Sequence, residues 1–205
     1  MGLEANCSAL MGNQISDGKL QWETDVLLFR GTFRLKIPAG EITRIQVAGQ
    51  DLVVEHNGVS VSFLLGAVAA KWCDKILHPP TLFDKLGIKK NQRVALVNWK
   101  QKQFCADLQN FVDELHTDAR TKSIKECDVV FLGAERDSDL LLLAKLEPLI
   151  KRNGAIWIVY PKGQKLITEA SVMAETKRFK LVDNKTCRFS ETHTGLRAVI
   201  PVARR

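Results

Sequence analysis

The stretch Cys127–Gly163, CDVVFLGAERDSDLLLLAKLEPLIKRNGAIWIVYPKG, decides the fold class of this chain. The apolar run Asp128–Leu132 is typical of a buried strand, the leucine-rich segment Leu140–Lys151 predicts a helix, and Ala155–Tyr160 predicts a second strand. A strand, a helix and a strand in that order predict one parallel unit of an open α/β sheet, joined by a right-handed crossover.

Further predicted elements flank this unit on both sides. Polar residues mark the ends of its helix, with Ser138 or Asp139 at the start and Asn153-Gly154 at the stop. The surrounding sequence predicts a strand at Arg93–Asn98, a helix over 102–115, a weak edge strand near 118–122, a helix near Thr168–Lys177, and two closing strands at about 180–189 and 195–202 that meet in a hairpin turn at 191–195. The second half of the chain is therefore predicted to be a reduced α/β domain with a terminal β-hairpin.

Residues 19–65 have a different periodicity, that of short strands. Apolar and polar side chains alternate over 33–37 and over 59–65, which predicts strands with one buried face. His56-Asn57-Gly58 lies between two such runs, and Asn-Gly is a residue pair that a type I′ hairpin turn favours. The stretch Ala67–Leu77 has helical spacing and ends before two prolines. The first half is therefore predicted to be a small antiparallel β domain with a C-terminal capping helix.

Length and composition set the domain organisation. A chain of 205 residues with 45% hydrophobic and 26% charged residues has room for two small domains with cores of their own. No apolar run approaches the roughly 18 residues that span a bilayer, so we expect no transmembrane segment. The first residues lack a basic stretch followed by an apolar one, so we expect no secretory signal there. We predict a flexible tail at 1–18, the β domain at 19–78, a linker at 79–92 and the α/β domain at 93–205.

The net charge of +7 is concentrated in the second half of the chain. Residues 1–82 hold 7 Lys and Arg against 8 Asp and Glu, whereas residues 83–205 hold 23 against 15. A basic half permits binding to nucleic acid or to an anionic membrane surface. Its lysines are scattered and have no interleaved aromatic platform, so a solvated basic surface is the preferred interpretation.

The cysteines and histidines set limits on the chemistry. The five cysteines are odd in number and far apart in sequence, which argues against a disulfide framework and favours the reducing cytoplasm. His56, His78 and His116 lack the spacing of metal ligands, so we predict no metal.

The first half resembles the pleckstrin-homology-like and GRAM-like β domains. The resemblance covers residues 19–77 and consists of about six short strands followed by one helix. It implies a scaffold for peptide, lipid or protein binding. Arg30, Arg34 and Lys36 are candidates for contact with an anionic lipid, but outward basic side chains are usual on any half-buried strand, so we expect a solvated face.

The second half resembles the later part of class I S-adenosylmethionine-dependent methyltransferases. The shared features are the Asp-Val-Val strand, the Leu-Glu-Pro-Leu-Ile segment that leads to Gly154-Ala155, and the closing hairpin. The family's Gly-rich loop would fall at Asn98–Lys102, where this chain has no glycine, and its ribose-binding acidic residue has no clear counterpart. From Leu82 onward the chain also resembles an uncharacterised bacterial domain family, a likeness that implies no activity.

The candidate site follows from the rule that ligands of open α/β sheets bind at the carboxyl ends of the parallel strands. Eight residues fall there in this sequence: Asn98, Trp99, Lys100, Glu135, Arg136, Tyr160, Lys162 and His193. Lys162 is a candidate anion contact, although a lysine at a strand end more often serves solubility.

The main hypothesis is a non-catalytic, regulatory protein that binds a ligand or a protein partner on a degenerate Rossmann-like scaffold. The absence of a Gly-rich loop and of a catalytic constellation argues against an enzyme. We predict no cofactor, and S-adenosylmethionine is the one to test. Two alternatives remain: a divergent methyltransferase-like or nucleotide-using enzyme, and a nucleic-acid or anionic-membrane-surface binder.

Overall fold

The chain divides into two units, Met1–Pro80 and Thr81–Arg205. The computed structural model describes residues 2–23, 25–117 and 124–205. Among these residues, none of the helices is both long and apolar enough to cross a bilayer.

The first unit is an antiparallel sheet followed by a helix. Its elements are β1 (Leu3–Met11), β2 (Gln14–Glu23), β3 (Val26–Arg30), β4 (Arg34–Pro38), β5 (Ile42–Ala48), β6 (Asp51–His56), β7 (Val59–Leu64) and α1 (Ala69–Leu77). The seven strands run in the order β4-β3-β2-β1-β7-β6-β5. Every pairing is antiparallel. Short turns join the consecutive strands that pair, and β1 pairs in addition with β7, which is distant in sequence.

Alternation of side chains explains how this sheet buries one face. Phe29 and Phe63 are both fully buried, with ring centroids 5.8 Å apart, and Trp72 of α1 belongs to the same core. The predicted hairpin between β6 and β7 is confirmed, since Asn57 and Gly58 both have positive φ, at 48° and 77°. The predicted capping helix is also confirmed, and it packs its apolar stripe on this core.

The prediction of a flexible tail at residues 1–18 is wrong. These residues form β1 and the first part of β2, which pair with each other from Leu3 opposite Trp22 to Met11 opposite Gln14. The inward positions of β1 are Leu3, Ala5, Cys7, Ala9 and Met11. Most of these side chains are small, so the period of two carried little hydrophobic signal and the segment looked like polar coil.

The second unit is a mixed sheet with helices. Its elements are α2 (Leu82–Leu86), β8 (Arg93–Val97), α3 (Lys102–Phe111), β9 (Glu114–His116), β10 (Cys127–Gly133), α4 (Leu143–Leu146), β11 (Ile150–Pro161), α5 (Glu169–Arg178), β12 (Val182–Arg188) and β13 (His193–Val199). The six strands run in the order β12-β13-β11-β10-β8-β9. The strands β9, β8, β10 and β11 are parallel, and β13 lies antiparallel between β11 and β12.

Strands β8, β10 and β11 are apolar on both faces because helices or loops cover both sides of the sheet. Leu132, Ile158 and their neighbours belong to the core on one face, together with the leucines that follow β10. Phe131 and Trp157 belong to the core on the other face, together with α2 and α3. The predicted α/β class and the terminal hairpin are therefore present.

The predicted helix at Leu140–Lys151 is largely wrong. A 3₁₀ turn over Asp137–Leu142, the one-turn helix α4 and a second 3₁₀ turn over Glu147–Leu149 take its place. Pro148 lies at the start of that second turn, where its ring limits the helix, and β11 begins at Ile150. Asn153 and Gly154, predicted as the helix stop, lie inside β11 beside a bulge that opens between Cys127 and Val129.

Two further boundaries differ from the prediction. Helix α3 ends at Phe111, and Glu114–His116 forms the short parallel strand β9 instead of helix. The predicted edge strand near 118–122 lies outside the described residues. The closing strands are confirmed within a few residues, and their turn is at 189–192.

Candidate functional site

The carboxyl ends of β8, β10 and β11 form one edge of the sheet, and we call it the carboxyl edge. β8 ends at Val97, β10 at Gly133 and β11 at Pro161. His193 begins the antiparallel β13 directly opposite Pro161, so it lies at the same edge. All eight predicted site residues lie on or next to this edge, but their side chains face in different directions.

The loop after β8 is fixed to the end of β10. Asn98 has a positive φ of 51°, a conformation that asparagine tolerates better than most residues. Its side-chain amide Nδ2 donates a hydrogen bond of 2.8 Å to the carbonyl of Gly133. A Cβ added to Gly133 would lie 2.5 Å from the carbonyl oxygen of Asn98, so only glycine permits this approach. The crevice between β8 and β10 is therefore filled by the chain itself.

Trp99 is held in an aromatic cluster on one face of the sheet. Its ring centroid lies 5.2 Å from that of Phe104 and 5.7 Å from those of Phe131 and Phe189. Its Nε1 donates to the carbonyl of Gln101 at 3.0 Å. The indole is half-buried, so one part anchors the loop and the rest stays accessible.

The loop after β10 is organised by one carboxylate. Asp139 Oδ2 accepts hydrogen bonds from the backbone N–H groups of Glu135 at 2.8 Å and of Arg136 at 3.2 Å. Asp139 therefore fixes the turn, as a capping residue does, although it lies inside the 3₁₀ turn and not at its start. The Arg136 side chain is exposed.

Tyr160 is part of the core and does not line the carboxyl edge. It is 3% exposed and packs on the face of the sheet opposite to Trp99. Its hydroxyl finds no hydrogen-bond partner among the described residues. Burial, followed by the negative charge of Glu169, raises the pKa of Tyr160 from its ordinary value of 10.0 to about 12.

Lys162 and His193 stabilise the turn between β12 and β13. Lys162 Nζ donates to the carbonyls of Ser190 at 2.7 Å and Glu191 at 3.3 Å. His193 Nδ1 lies 2.9 Å from Thr192 Oγ1, and its backbone N–H donates to Ser190 Oγ at 3.0 Å. Both residues have a structural role in this turn, which accounts for their position without a ligand.

A cleft of about 540 Å³ opens beside the N-terminus of α3, and we call it the α3 cleft. Leu96, Trp99, Cys105 and Ala106 give it an apolar wall, and Lys100, Gln101, Lys102, Gln109 and Thr117 give it polar groups. Two of the predicted site residues, Trp99 and Lys100, therefore line this cleft. Gln101 is the N-cap of α3, and none of the described side chains caps the free N–H groups of the first turn.

Sequence reasoning missed the residues that α3 contributes. Lys102, Cys105, Ala106 and Gln109 recur at intervals of three and four, so they share one face of the helix. The buried stripe of α3, Phe104 and Leu108, lies on another face. This second face of α3, which follows directly after β8 in the sequence, is the signal that could locate the cleft.

An adenosyl cofactor fits one part of this edge and not another. The crevice between β8 and β10 has no room beside Gly133, where even an added Cβ would lie 2.5 Å from the carbonyl oxygen of Asn98. The α3 cleft offers an indole and an apolar wall for a purine, with amides and cations at its rim. Within the described residues, no group of three or more His, Cys, Asp and Glu could hold a metal ion.

Several solved structures are similar in fold. A candidate type 11 methyltransferase from Sulfolobus solfataricus is 16% identical, with 62% of this chain and 91% of that chain covered and a TM-score of 0.47. A SAM-dependent methyltransferase from Aquifex aeolicus is 12% identical, with 62% and 93% covered and a TM-score of 0.44. A SAM-dependent O-methyltransferase from Thermotoga maritima is 7% identical, with 96% and 93% covered and a TM-score of 0.45.

No protein-family model matches the chain, and no curated protein sequence does. The three structures named above are methyltransferases. With identities of 16% or less and TM-scores below 0.5, these similarities carry no argument about this chain.

Proposed function

We propose that the second unit is a methyltransferase-like domain that binds an adenosyl ligand, with S-adenosylmethionine as the first to test, in the α3 cleft. The observation that carries this proposal is the position of the cleft. It lies at the carboxyl ends of β8 and β9, beside the N-terminus of α3, where open α/β sheets take their ligands.

The wall of the cleft supports a planar, apolar group. Leu96 is 1% exposed, and the half-buried indole of Trp99 is already fixed by three aromatic neighbours. An indole that is fixed before binding loses little side-chain entropy when a purine stacks on it. This part of the cleft would hold the base.

The rim of the cleft supports a carboxylate. Lys100 and Lys102 are exposed and carry positive charge, and the first N–H groups of α3 point toward the start of the helix. An amino-acid carboxylate, such as the one on S-adenosylmethionine, is stabilised at such a position. Gln101, Gln109 and Thr117 add polar groups for the ribose hydroxyls.

Binding without methyl transfer is the first candidate, and a divergent methyltransferase is the second. The strand order favours the second, because an antiparallel β13 between β11 and β12 forms the closing hairpin on which the family resemblance rests. The first is favoured by the filled crevice between Asn98 and Gly133. Both candidates require the same ligand, so binding tests them together. Methyl transfer then separates them.

The test is calorimetric titration of the purified full chain with S-adenosylmethionine, S-adenosylhomocysteine and adenosine. Ala106→Trp fills the cleft from an exposed helical position, and Asp107→Trp places the same bulk at an exposed position on another face of α3. We expect saturable binding to the native chain and to Asp107→Trp, with binding lost in Ala106→Trp. Absence of binding to the native chain, or equal binding to both variants, would exclude an adenosyl site here.

Methyl transfer is measured separately with methyl-labelled S-adenosylmethionine and a cell extract as the source of acceptors. Binding without label transfer supports the non-catalytic, regulatory protein. Label in an acceptor, lost in Ala106→Trp and kept in Asp107→Trp, supports the divergent enzyme.

Four other expectations stand as proposals. The first unit, a sheet of seven antiparallel strands with a following helix, is proposed to be pleckstrin-homology-like or GRAM-like and to bind a protein partner. A first domain that ends near residue 78 and a cytoplasmic setting are also proposals. Binding of nucleic acid through the basic second half would appear as an affinity that falls steeply with salt.

A further inference from the structure

A second cleft lies at the opposite edge of the same sheet, where the parallel strands begin. It has a volume of about 340 Å³ and is lined by residues next to β8, at the start of β10 and β11, and on the closing hairpin. We call it the amino-edge cleft. The polar and charged residues of its lining are Gln92, Asp128, Asn153, Asn184, Lys185 and Arg197.

Arg197 is the central cation of this cleft. It lies in the middle of β13, directly opposite Trp157 of β11 on one side and Lys185 of β12 on the other. Trp157 is fully buried, so the guanidinium shares a face with the hydrophobic core and is itself half-buried. Its NH1 donates to Asn184 Oδ1 at 3.2 Å.

Positive charge accumulates around Arg197 without an acidic partner. Lys185 lies directly across the strand pair, and like charges in that position destabilise a sheet. Lys185 Nζ donates to the carbonyl of Lys85 at 2.6 Å. Burial, followed by the charge of Arg205, lowers the pKa of Arg197. In the part of the chain that the structure describes, Arg197 and Lys185 form no ion pair.

The one carboxylate that lines the cleft is engaged elsewhere. Asp128 Oδ1 accepts from Lys151 Nζ at 2.7 Å, and its Oδ2 accepts from the backbone N–H of Arg93 at 2.9 Å. Both carboxylate oxygens of Asp128 therefore have a hydrogen-bond donor, and its negative charge is paired with Lys151. The charge of Arg197 is left for another anion.

The amide side chains around Arg197 have their acceptor atoms occupied. Asn184 Oδ1 accepts from Arg197, and Gln92 Oε1 accepts from the backbone N–H of Lys89 at 2.8 Å. Each residue keeps its NH₂ group as a donor. A cleft that gathers guanidinium, ammonium and amide donors has the composition of an oxyanion site.

We propose that the amino-edge cleft binds a small polyvalent oxyanion, carrying phosphate or carboxylate groups, through Arg197 and Lys185. The guanidinium takes one oxyanion group by two parallel hydrogen bonds, and the amides of Asn153 and Asn184 take the remaining oxygens. The site is independent of the α3 cleft, so either proposal can fail without the other.

The test is thermal unfolding of the full chain with inorganic phosphate or citrate at constant ionic strength. At an anion concentration of about 100 times the dissociation constant, we expect the melting temperature of the second unit to rise by roughly 5–10 °C. Phosphate and citrate distinguish a phosphate-bearing from a carboxylate ligand. Absence of a rise with both would overturn the proposal.

Matched variants separate the cleft from general charge effects. Arg197→Gln should abolish the response to the anion, while Arg188→Gln, an exposed arginine of β12 outside the cleft, should keep it. Without anion, Arg197→Gln should melt at a higher temperature than the native chain, since it removes the charge facing Lys185. A response that survives in Arg197→Gln would contradict the proposal.

A measurement on the native chain covers the case in which Arg197→Gln does not fold. The side-chain amide resonances of Asn153 and Asn184 should shift on addition of the active anion, and that of Asn110 on α3 should not. Unmoved resonances for Asn153 and Asn184 would overturn the proposal.

Discussion

Asn98 and Gly133 join the ends of the neighbouring parallel strands β8 and β10, with the Asn98 amide 2.8 Å from the Gly133 carbonyl. The backbone of Asn98 also comes close to Gly133: a Cβ added to Gly133 would lie 2.5 Å from the Asn98 carbonyl oxygen. The two contacts together close the crevice between β8 and β10. Any ligand at this edge must therefore bind beside the crevice, and the α3 cleft is the opening that remains next to Trp99.

Gly133→Ala should destabilise the second unit. The added methyl group meets backbone and not a flexible side chain, so the loop after β8 must move. We expect a loss of about 1–3 kcal/mol in the free energy of unfolding, measured by urea denaturation. The control is Gly40→Ala, where an added Cβ meets no atom within 4 Å, and it should be close to neutral.

Asn98→Ala and Asn98→Gly should differ in stability. Both lose the hydrogen bond to Gly133, but alanine is also strained at the positive φ of 51° that glycine adopts freely. We expect Asn98→Ala to lose about 1–2 kcal/mol and Asn98→Gly to lose less. Equal losses measured by urea denaturation would mean that the left-handed conformation of residue 98 contributes nothing.

Tyr160 should make the native chain sensitive to alkaline pH. Its pKa is raised to about 12 in the folded state and is near 10.0 in the unfolded state. The stabilisation is therefore complete below pH 10 and is lost as pH rises toward 12, because the unfolded state then ionises first. Tyr160→Phe should lose less stability over that interval, as measured by urea denaturation at each pH.

The ionisation itself can be observed without a variant. Tyr160 is the only tyrosine of the chain, so the ultraviolet absorbance of its phenolate reports this group alone. A titration midpoint near the ordinary value in the folded protein would contradict the buried position of the hydroxyl.

Trp157→Phe should destabilise the second unit more than Trp99→Phe does. Trp157 is fully buried, and its Nε1 donates to the carbonyl of Leu86 at 3.0 Å. Phenylalanine leaves that carbonyl without its donor and leaves a cavity, with an expected loss of about 2–4 kcal/mol in urea denaturation. Trp99 is half-buried, and the Gln101 carbonyl that loses the indole donor still accepts from the backbone N–H of Cys105, so Trp99→Phe should lose less stability.

The core strands of the second unit could be predicted from sequence, whereas β1 could not. Strands β8, β10 and β11 are rich in Val, Ile and Leu, because both of their faces are covered. β1 buries Ala5, Cys7 and Ala9, whose small side chains give a weak alternation. The helix predicted from the leucines after β10 was wrong for a different reason. A continuous apolar run has no helical period, so the sequence cannot distinguish a helix from 3₁₀ turns there.

The topology predicted from the sequence locates the candidate site. It does not distinguish side chains that could contact a ligand from those that hold the local structure. The rule for parallel strands brings Asn98, Tyr160 and Lys162 to one edge, where the structure has them. Sequence does not reveal that Lys162 bonds to turn carbonyls or that Tyr160 faces the core. These roles depend on side-chain directions that are set by tertiary packing.

The most direct test of the adenosyl site is alkylation of Cys105, a half-buried free thiol that lines the α3 cleft. The full chain is treated with a thiol reagent with and without S-adenosylhomocysteine, and modification is read at each cysteine by peptide mass spectrometry. We predict that the ligand slows modification of Cys105 and leaves that of Cys73, a half-buried thiol of the first unit, unchanged. An unchanged rate at Cys105 with saturating ligand would contradict the proposed site.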